Sequence, residues 1–376
     1  MLTPWLIAGL TVLAVYYLDR WENRHIKSLF DWVPAILLAY ILPALISFVF
    51  KLDYSQANIH DFSKEYFIPL AIIAVMGSLS LGQLKSVGAR PILVFLSGSL
   101  FIAVFPVLFI WAMGSTELVA TTLVKEQYWM GIPPIVGSWI GGSTSQLVLK
   151  ELVQCPESIF LTVLVMDTIL VNLWTILMFQ GIKKSDLLNR SFKITDVALP
   201  EDIRLEDGKR LSKIGTAVLL LGVVVLFNFL SDSFVLKVVL LSVMGLLLSH
   251  FIPRWNHAFA LKLGGVLIIL VMAVLGLKLQ LTTLGFNLPF MGFLMIWLLG
   301  HFVFMLLVAK LLNVNMAWVP IASMANVGGI ATAPAVTAAY NLKWMPHAIV
   351  LAILSMATGT FWGMLTIWLL RNGALL

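Results

Sequence analysis

Apolar residues run in blocks long enough to cross a hydrocarbon layer of about 30 Å at 1.5 Å per helical residue. The blocks fall approximately at 2–18, 32–50, 67–84, 91–114 and 156–181, and again at 211–230, 233–251, 258–279, 289–312 and 345–370. Two more apolar stretches, about 130–153 and 316–340, come fifth in each set and are interrupted in the middle. Pro133 to Gln146 reads P-P-I-V-G-S-W-I-G-G-S-T-S-Q, and Pro320 to Pro334 reads P-I-A-S-M-A-N-V-G-G-I-A-T-A-P. With Gly141 laid on Gly328, the copies stand 187 residues apart in a chain of 376. The pattern predicts an all-α polytopic membrane protein made of two inverted repeats, with about 10 transmembrane helices plus two broken or re-entrant segments. The first repeat covers 1–182, a polar cytoplasmic linker 183–213, and the second repeat 214–376. The linker, with Asp186, Arg190, Asp196, Glu201, Arg204 and Lys209, reads as a solvated connector without chemistry.

Composition agrees. Hydrophobic residues make up 60% of the chain and charged residues 11%, against roughly 25% charged in soluble domains. The mean hydropathy is +1.00. One cysteine, Cys155, rules out an internal disulfide and a cysteine metal cluster. No basic run is interleaved with aromatics, so no nucleic-acid partner is expected. The first apolar block precedes Asp19, Arg20, Arg24 and Lys27, the reverse of a cleavable signal.

Lysine and arginine decide between topologies through the positive-inside bias. If both broken segments enter and leave on one side, ten spans result and 17 of the 24 basic residues share a side with the linker. If both segments cross, the chain has twelve spans and the split is 15 to 9. The ten-span arrangement is preferred. It puts the N-terminus outside and the linker in the cytoplasm, and brings the tips of the two broken segments together near the midplane.

Bare backbone N–H and C=O groups in hydrocarbon survive only when buried in protein or facing a wet cavity. A pair of such breaks at matching positions therefore points to a binding site for solute or ion. Gly141, Gly142, Ser143, Thr144, Ser145 and Gln146 place hydroxyls and an amide at a half-helix N-terminus, where free N–H groups favour an anion. Asn326, Gly328, Gly329, Thr332 and Thr337 do similar work in the second copy. Asp167 lies deep in the 156–181 block, where a carboxylate is a functional hypothesis by default. It is the candidate ligand for a coupling Na⁺ or the carrier of a proton, with Asn172 and Thr358 assigned beside it. Asn172 falls off the Asp167 face of that helix, whereas Trp174 shares it. Ser355, Thr358, Gly359, Trp362 and Thr366 form a small, polar stripe expected to face the second break. His301, mid-span, reads as a hydrogen-bonded neutral residue in preference to a proton carrier.

The two glycine motifs, with Asp167 about 25 residues after the first and Gly359-Thr360 after the second, resemble the uncharacterised bacterial membrane proteins called domain of unknown function 819. The likeness covers nearly the whole chain. More distantly the sequence is similar to ion-coupled citrate and glutamate symporters and to sodium–proton antiporter and bile-acid transporter folds. The resemblance implies a secondary transporter with a scaffold domain, through which a homodimer would form, and a moving core domain. Thr144 and Thr168 stand where the family pattern often has Asn. The expected activity is alternating-access transport of a small polar solute, an organic anion or amino-acid-like carboxylate, coupled to Na⁺ or H⁺. A passive channel or uncoupled exporter is the alternative. No enzyme motif is present, and no cofactor is expected beyond the coupling ion.

Overall fold

The computed structural model describes residues 2–21, 23, 35–78, 85–196, 211–278, 287–341 and 344–374. Arg24, Lys27, Trp32, Lys343 and the linker residues 197–210 lie outside the described residues. The described chain is helical throughout. In order, the helices are α1 (Thr3–Arg20), α2 (Ala35–Val49), α3 (Ile68–Met76), α4 (Ala89–Met113), α5 (Ile132–Val153), α6 (Glu157–Ile182) and α7 (Ser185–Ser191). After the linker come α8 (Lys213–Leu230), α9 (Phe234–Phe251), α10 (His257–Gly276), α11 (Leu288–Leu311), α12 (Trp318–Val327), α13 (Gly329–Ala338) and α14 (Met345–Leu369). A short helix, Ile59–Phe62, and a π-helical turn, Ser63–Phe67, lead into α3.

Six of the described helices are long and apolar enough to cross a membrane: α4, α6, α8, α10, α11 and α14. Shorter apolar helices cover Thr3–Leu18, Leu38–Val49 and Leu236–Phe251. Their outer faces suit lipid rather than water. On α8, Ile214 is 78% and Phe229 86% exposed, and only Thr216, Leu220, Val224 and Phe227 are buried. A soluble monomer rarely shows contiguous apolar surface on that scale.

The chain forms two compact units, each drawn from both halves of the sequence. The first comprises Met1–Leu79, Pro156–Ile169 and Gly208–Phe286. It holds α1–α3, α8–α10 and the opening turns of α6. Its interior packs Ile7 and Ala8 of α1 and Ile59 against Ala273 and Val274 of α10. Trp255 donates its indole N–H to the Gly77 carbonyl at 2.7 Å, which caps the end of α3. The second unit comprises Ser80–Cys155, Leu170–Asp207 and Asn287–Leu376. It holds α4, α5, α7, α11–α14 and the rest of α6, and both glycine breaks lie in it.

The connector expected at 183–213 is not plain coil at its start. The described part opens with α7, a seven-residue helix closed by Ile194 N–H on the Asn189 carbonyl at 2.9 Å. Its length and polarity left no periodic signal to read.

Candidate functional site

Both glycine pairs are true breaks. In α5, Gly142 has φ 67° and ψ −166°, a conformation essentially reserved for glycine. The two arms of α5 then fold back on one another. A Cβ on Gly137 would lie 2.7 Å from Leu149 Cδ1, 2.7 Å from the Ser145 carbonyl carbon and 2.8 Å from Gln146 N. Residues so spaced on a straight helix would be roughly 12–18 Å apart along its axis. The second break, between α12 and α13, has Gly329 at φ 65°. Its feet also meet: Trp318 at the start of α12 stacks on Trp344 just before α14, ring centroids 4.8 Å apart. Each broken segment is thus a helical hairpin whose two ends emerge together.

The two glycines of each pair divide the work in the same way. The second supplies the positive φ, and a Cβ there would touch nothing within 4 Å in either copy. The first makes room. A Cβ on Gly141 would collide with the Ser145 side chain and lie 2.9 Å from Gly359 Cα; one on Gly328 would collide with the Thr332 hydroxyl and Met324 Cε. Ser145 and Thr332 each stand four residues after their glycine, so each hairpin tip carries a hydroxyl folded over it.

Helix α14 crosses the first hairpin closely. Gly359 sits against Gly141, and a Cβ on Gly363 would collide with Leu149. Thr360 Oγ1 donates to Ser145 Oγ at 3.0 Å, and Ser355 Oγ donates to the Ile140 carbonyl. The α14 stripe was expected to face the second break; its glycines instead key into the first. Ser355 also reaches the second hairpin, 3.2 Å from Asn326 Oδ1, so one hydroxyl touches both. Thr366 donates to the Ala103 carbonyl of α4 at 2.9 Å. The Thr358 hydroxyl turns back to its own helix at the Leu354 carbonyl, 3.0 Å away.

Asn326 is committed to the protein. Its Oδ1 accepts from Ser99 Oγ at 3.0 Å and its Nδ2 donates to the Phe95 carbonyl at 3.3 Å, tying α12 to α4. A second buried chain runs beside it. Trp174 Nε1–H reaches Ser323 Oγ at 3.0 Å, Ser323 lies 3.2 Å from His301 Nε2, and His301 Nδ1 lies 3.2 Å from the Gly98 carbonyl. A carbonyl can only accept, so Nδ1 carries the proton and Nε2 accepts from Ser323, a tautomer assigned from the network. A neutral histidine satisfies this chain with no donor or acceptor left over. Gly98 permits it, since a Cβ there would lie 2.7 Å from His301 Cε1.

What the tips leave open is the informative part. Thr144 Oγ1, Gln146 Nε2 and Thr332 Oγ1 are buried with no hydrogen-bond partner among the described residues. A buried polar atom left bare costs about 1–3 kcal/mol. These groups flank the breaks, one turn or less past the positive-φ glycine in each copy. Asn172 Nδ2, in the second unit, is bare as well. Asp167 is 6% exposed and belongs to the first unit; Asn172 and Thr358 belong to the second. Thr337 Oγ1 donates within α13 to the Ala333 carbonyl at 2.7 Å. Ser143 is half-buried.

Sequence reasoning passed over Lys150. It is 5% exposed on the second arm of the first hairpin, one turn past Gln146, and its Nζ lies 3.0 Å from Glu151 Oε1. The i, i+4 spacing from Gln146 was the available signal.

An all-helical chain with lipid-suited outer faces and two buried helical hairpins is a polytopic membrane protein. The chain belongs to the family described as protein of unknown function DUF819, whose model matches residues 6–372. No curated protein matches it.

Proposed function

We propose that this protein is a secondary transporter that moves a small carboxylate-bearing solute by alternating access, with the solute held between the two hairpin tips. One observation carries the reading. Two breaks of similar local geometry, joined through Ser355, leave Thr144, Gln146 and Thr332 with buried hydrogen-bonding atoms that are unmatched among the described residues. A fold tolerates such atoms where something polar docks. Gln146 Nε2 is a donor, and the hydroxyls and the first N–H groups of each second arm can donate too. The set therefore suits an acceptor-rich solute such as an organic anion or an amino acid carboxylate.

The element order supports a duplication. Each half supplies three helices to the first unit, α1–α3 and α8–α10. Each then supplies a helix, a hairpin and helical turns to the second. With both hairpins re-entrant, the chain has ten spans and its halves are inverted in a bacterial inner membrane, N-terminus outside. Asp167 is the coupling residue for Na⁺ or H⁺.

The test is uptake into proteoliposomes, preceded by a thermal-shift screen of amino acids and dicarboxylates with and without Na⁺. Saturable uptake driven by an imposed Na⁺ or H⁺ gradient, and made gradient-independent in Asp167→Asn, is expected. Flux that does not saturate would make the protein a channel. Flux indifferent to both gradients would remove the coupling role of Asp167.

A further inference from the structure

Helix α7 docks on the feet of the second hairpin, and the docking is specific. Asn189, 6% exposed, donates its amide to Asn315 Oδ1 at 3.0 Å and accepts the Met316 N–H at 2.8 Å. Beyond the helix, Thr195 N–H donates to Asn313 Oδ1 at 2.9 Å, and Asn313 Nδ2 donates to Thr195 Oγ1 at 2.6 Å. From the other foot, Tyr340 Oη donates to Asp186 Oδ1 at 3.4 Å. Lys310, at the end of α11, rests over the Phe192 ring at 5.5 Å. Between α7 and these feet lies a cavity of about 540 Å³ whose wall includes Asp186, Arg190, Lys193, Thr195, Tyr340 and Asn341.

The hydrogen-bond accounting of that wall is one-sided. Two of its amide oxygens are engaged: Asn189 Oδ1 takes the Met316 N–H, and Asn315 Oδ1 takes the Asn189 amide and the Ala317 N–H, while Asp186 Oδ1 receives the Tyr340 hydroxyl at 3.4 Å. The donors are not. Arg190 and Lys193 are exposed at the rim, with no carboxylate within 4.0 Å among the described residues. Thr195 Oγ1 receives a bond and still has its own proton to give. Two cations and a hydroxyl line one cavity against a single carboxylate, and that excess of positive charge and donors favours an anion.

We propose that this cavity binds a phosphate-type anion, held by Arg190, Lys193 and Thr195, and that occupancy braces both feet of the second hairpin. Inorganic phosphate and the headgroup of an anionic lipid share this chemistry. The binding claim stands by itself; the consequence for hairpin movement rests on the transporter reading above.

The experiment uses the full chain with Cys155→Ser and Asn341→Cys, reconstituted in phosphatidylcholine nanodiscs, and follows maleimide labelling at position 341. Inorganic phosphate should slow labelling saturably, about threefold at twice its half-saturating concentration. Sulfate-free chloride at matched ionic strength should not. Nanodiscs containing phosphatidylglycerol and no phosphate distinguish the sources: slow labelling there assigns the site to lipid, and unchanged labelling assigns it to the free anion. Arg190→Gln with Lys193→Gln should remove the protection. Should Asn341→Cys misfold, phosphate should still raise the thermal midpoint of the unaltered protein and not that of the Arg190→Gln/Lys193→Gln variant. Protection by neither source, or protection that persists without both cations, overturns the site. Neither outcome bears on uptake, so failure here leaves the transporter reading to its own test.

Discussion

At the level of single residues, the glycine pairs make a prediction that distinguishes space from conformation. Gly142 and Gly329 hold φ near +65° with open surroundings, so alanine there meets only backbone strain. Gly142→Ala and Gly329→Ala should each cost about 1–3 kcal/mol of stability. Gly328→Ala meets the Thr332 hydroxyl and the flexible end of Met324. Adding Thr332→Ala should recover part of that loss. Gly141→Ala should resist rescue by Ser145→Ala, because the Ser145 Cβ and Gly359 backbone stay in the way. Chemical denaturation of the four variants and two pairs checks this; equal rescue at both tips would contradict the geometry. A separate residue sets a pH response. His60 is buried, and its Nε2 donates to the Tyr54 carbonyl at 2.8 Å while Nδ1 has no partner among the described residues. Burial holds its pKa below the ordinary 6.5, with Lys278 pushing the same way and the Tyr54 carbonyl, Glu157 and Asp61 opposing. Below pH 6.5 the unfolded chain therefore binds more protons at this site than the folded one, and stability falls as pH drops. The thermal midpoint should decline from pH 7 toward pH 5, and His60→Gln should flatten the decline.

Among elements, what sequence could convey follows from what periodicity encodes. The long apolar helices were legible because nothing but length and apolarity is needed to place them. The glycine pairs were legible because a break in hydrocarbon has no cheap explanation. The return of each segment was read only through the lysine and arginine count; its contacts were not legible, since neither Gly137 nor Trp318 announces which distant residue it will meet. The α14 stripe shows the same limit. Ser355, Gly359 and Gly363, spaced by four, specify a close helix crossing, but spacing does not name the partner. Here Gly359 and Gly363 meet the first hairpin, while Ser355 touches both. Helix α7 was invisible, being seven residues long and polar. The candidate residues were named as a set, without a ranking. Asn326 is spent on α4 and Thr337 on its own helix, whereas Thr144 Oγ1, Gln146 Nε2 and Thr332 Oγ1 have no partner among the described residues. The α14 crossing can be tested directly. Gly359→Leu would drive a side chain into the Gly141 backbone. It should lower stability by at least about 1–3 kcal/mol, the range for overpacking. Leucine at Gly181, which has nothing within 4 Å, should be tolerated. Similar thermal midpoints for the two variants would refute the crossing.

For the whole molecule, the decisive question is which side of the membrane each hairpin foot occupies. The arms of α5 pack on each other through Gly137 and Leu149, and the ends of the second hairpin meet through Trp318 and Trp344. On the re-entrant reading, two ends that lie together share one side of the bilayer. A helix crossing the bilayer would separate them by about 30 Å. In a Cys155→Ser background, single cysteines at Lys125 and Gln154 bracket the first hairpin, and cysteines at Lys310 and Asn341 bracket the second. The inverted ten-span arrangement predicts that a membrane-impermeant maleimide labels both members of the first pair in intact cells. It predicts that both members of the second pair are labelled only after permeabilisation. A twelve-span chain would split each pair, one member accessible and the other not. Two halves in the same orientation would place all four cysteines on one side. The labelling pattern thus separates the inverted repeat from both rivals without requiring the solute to be known. It also sets where the α7 cavity lies, because Asn341 lines it: labelling confined to permeabilised cells puts its anion in the cytoplasm.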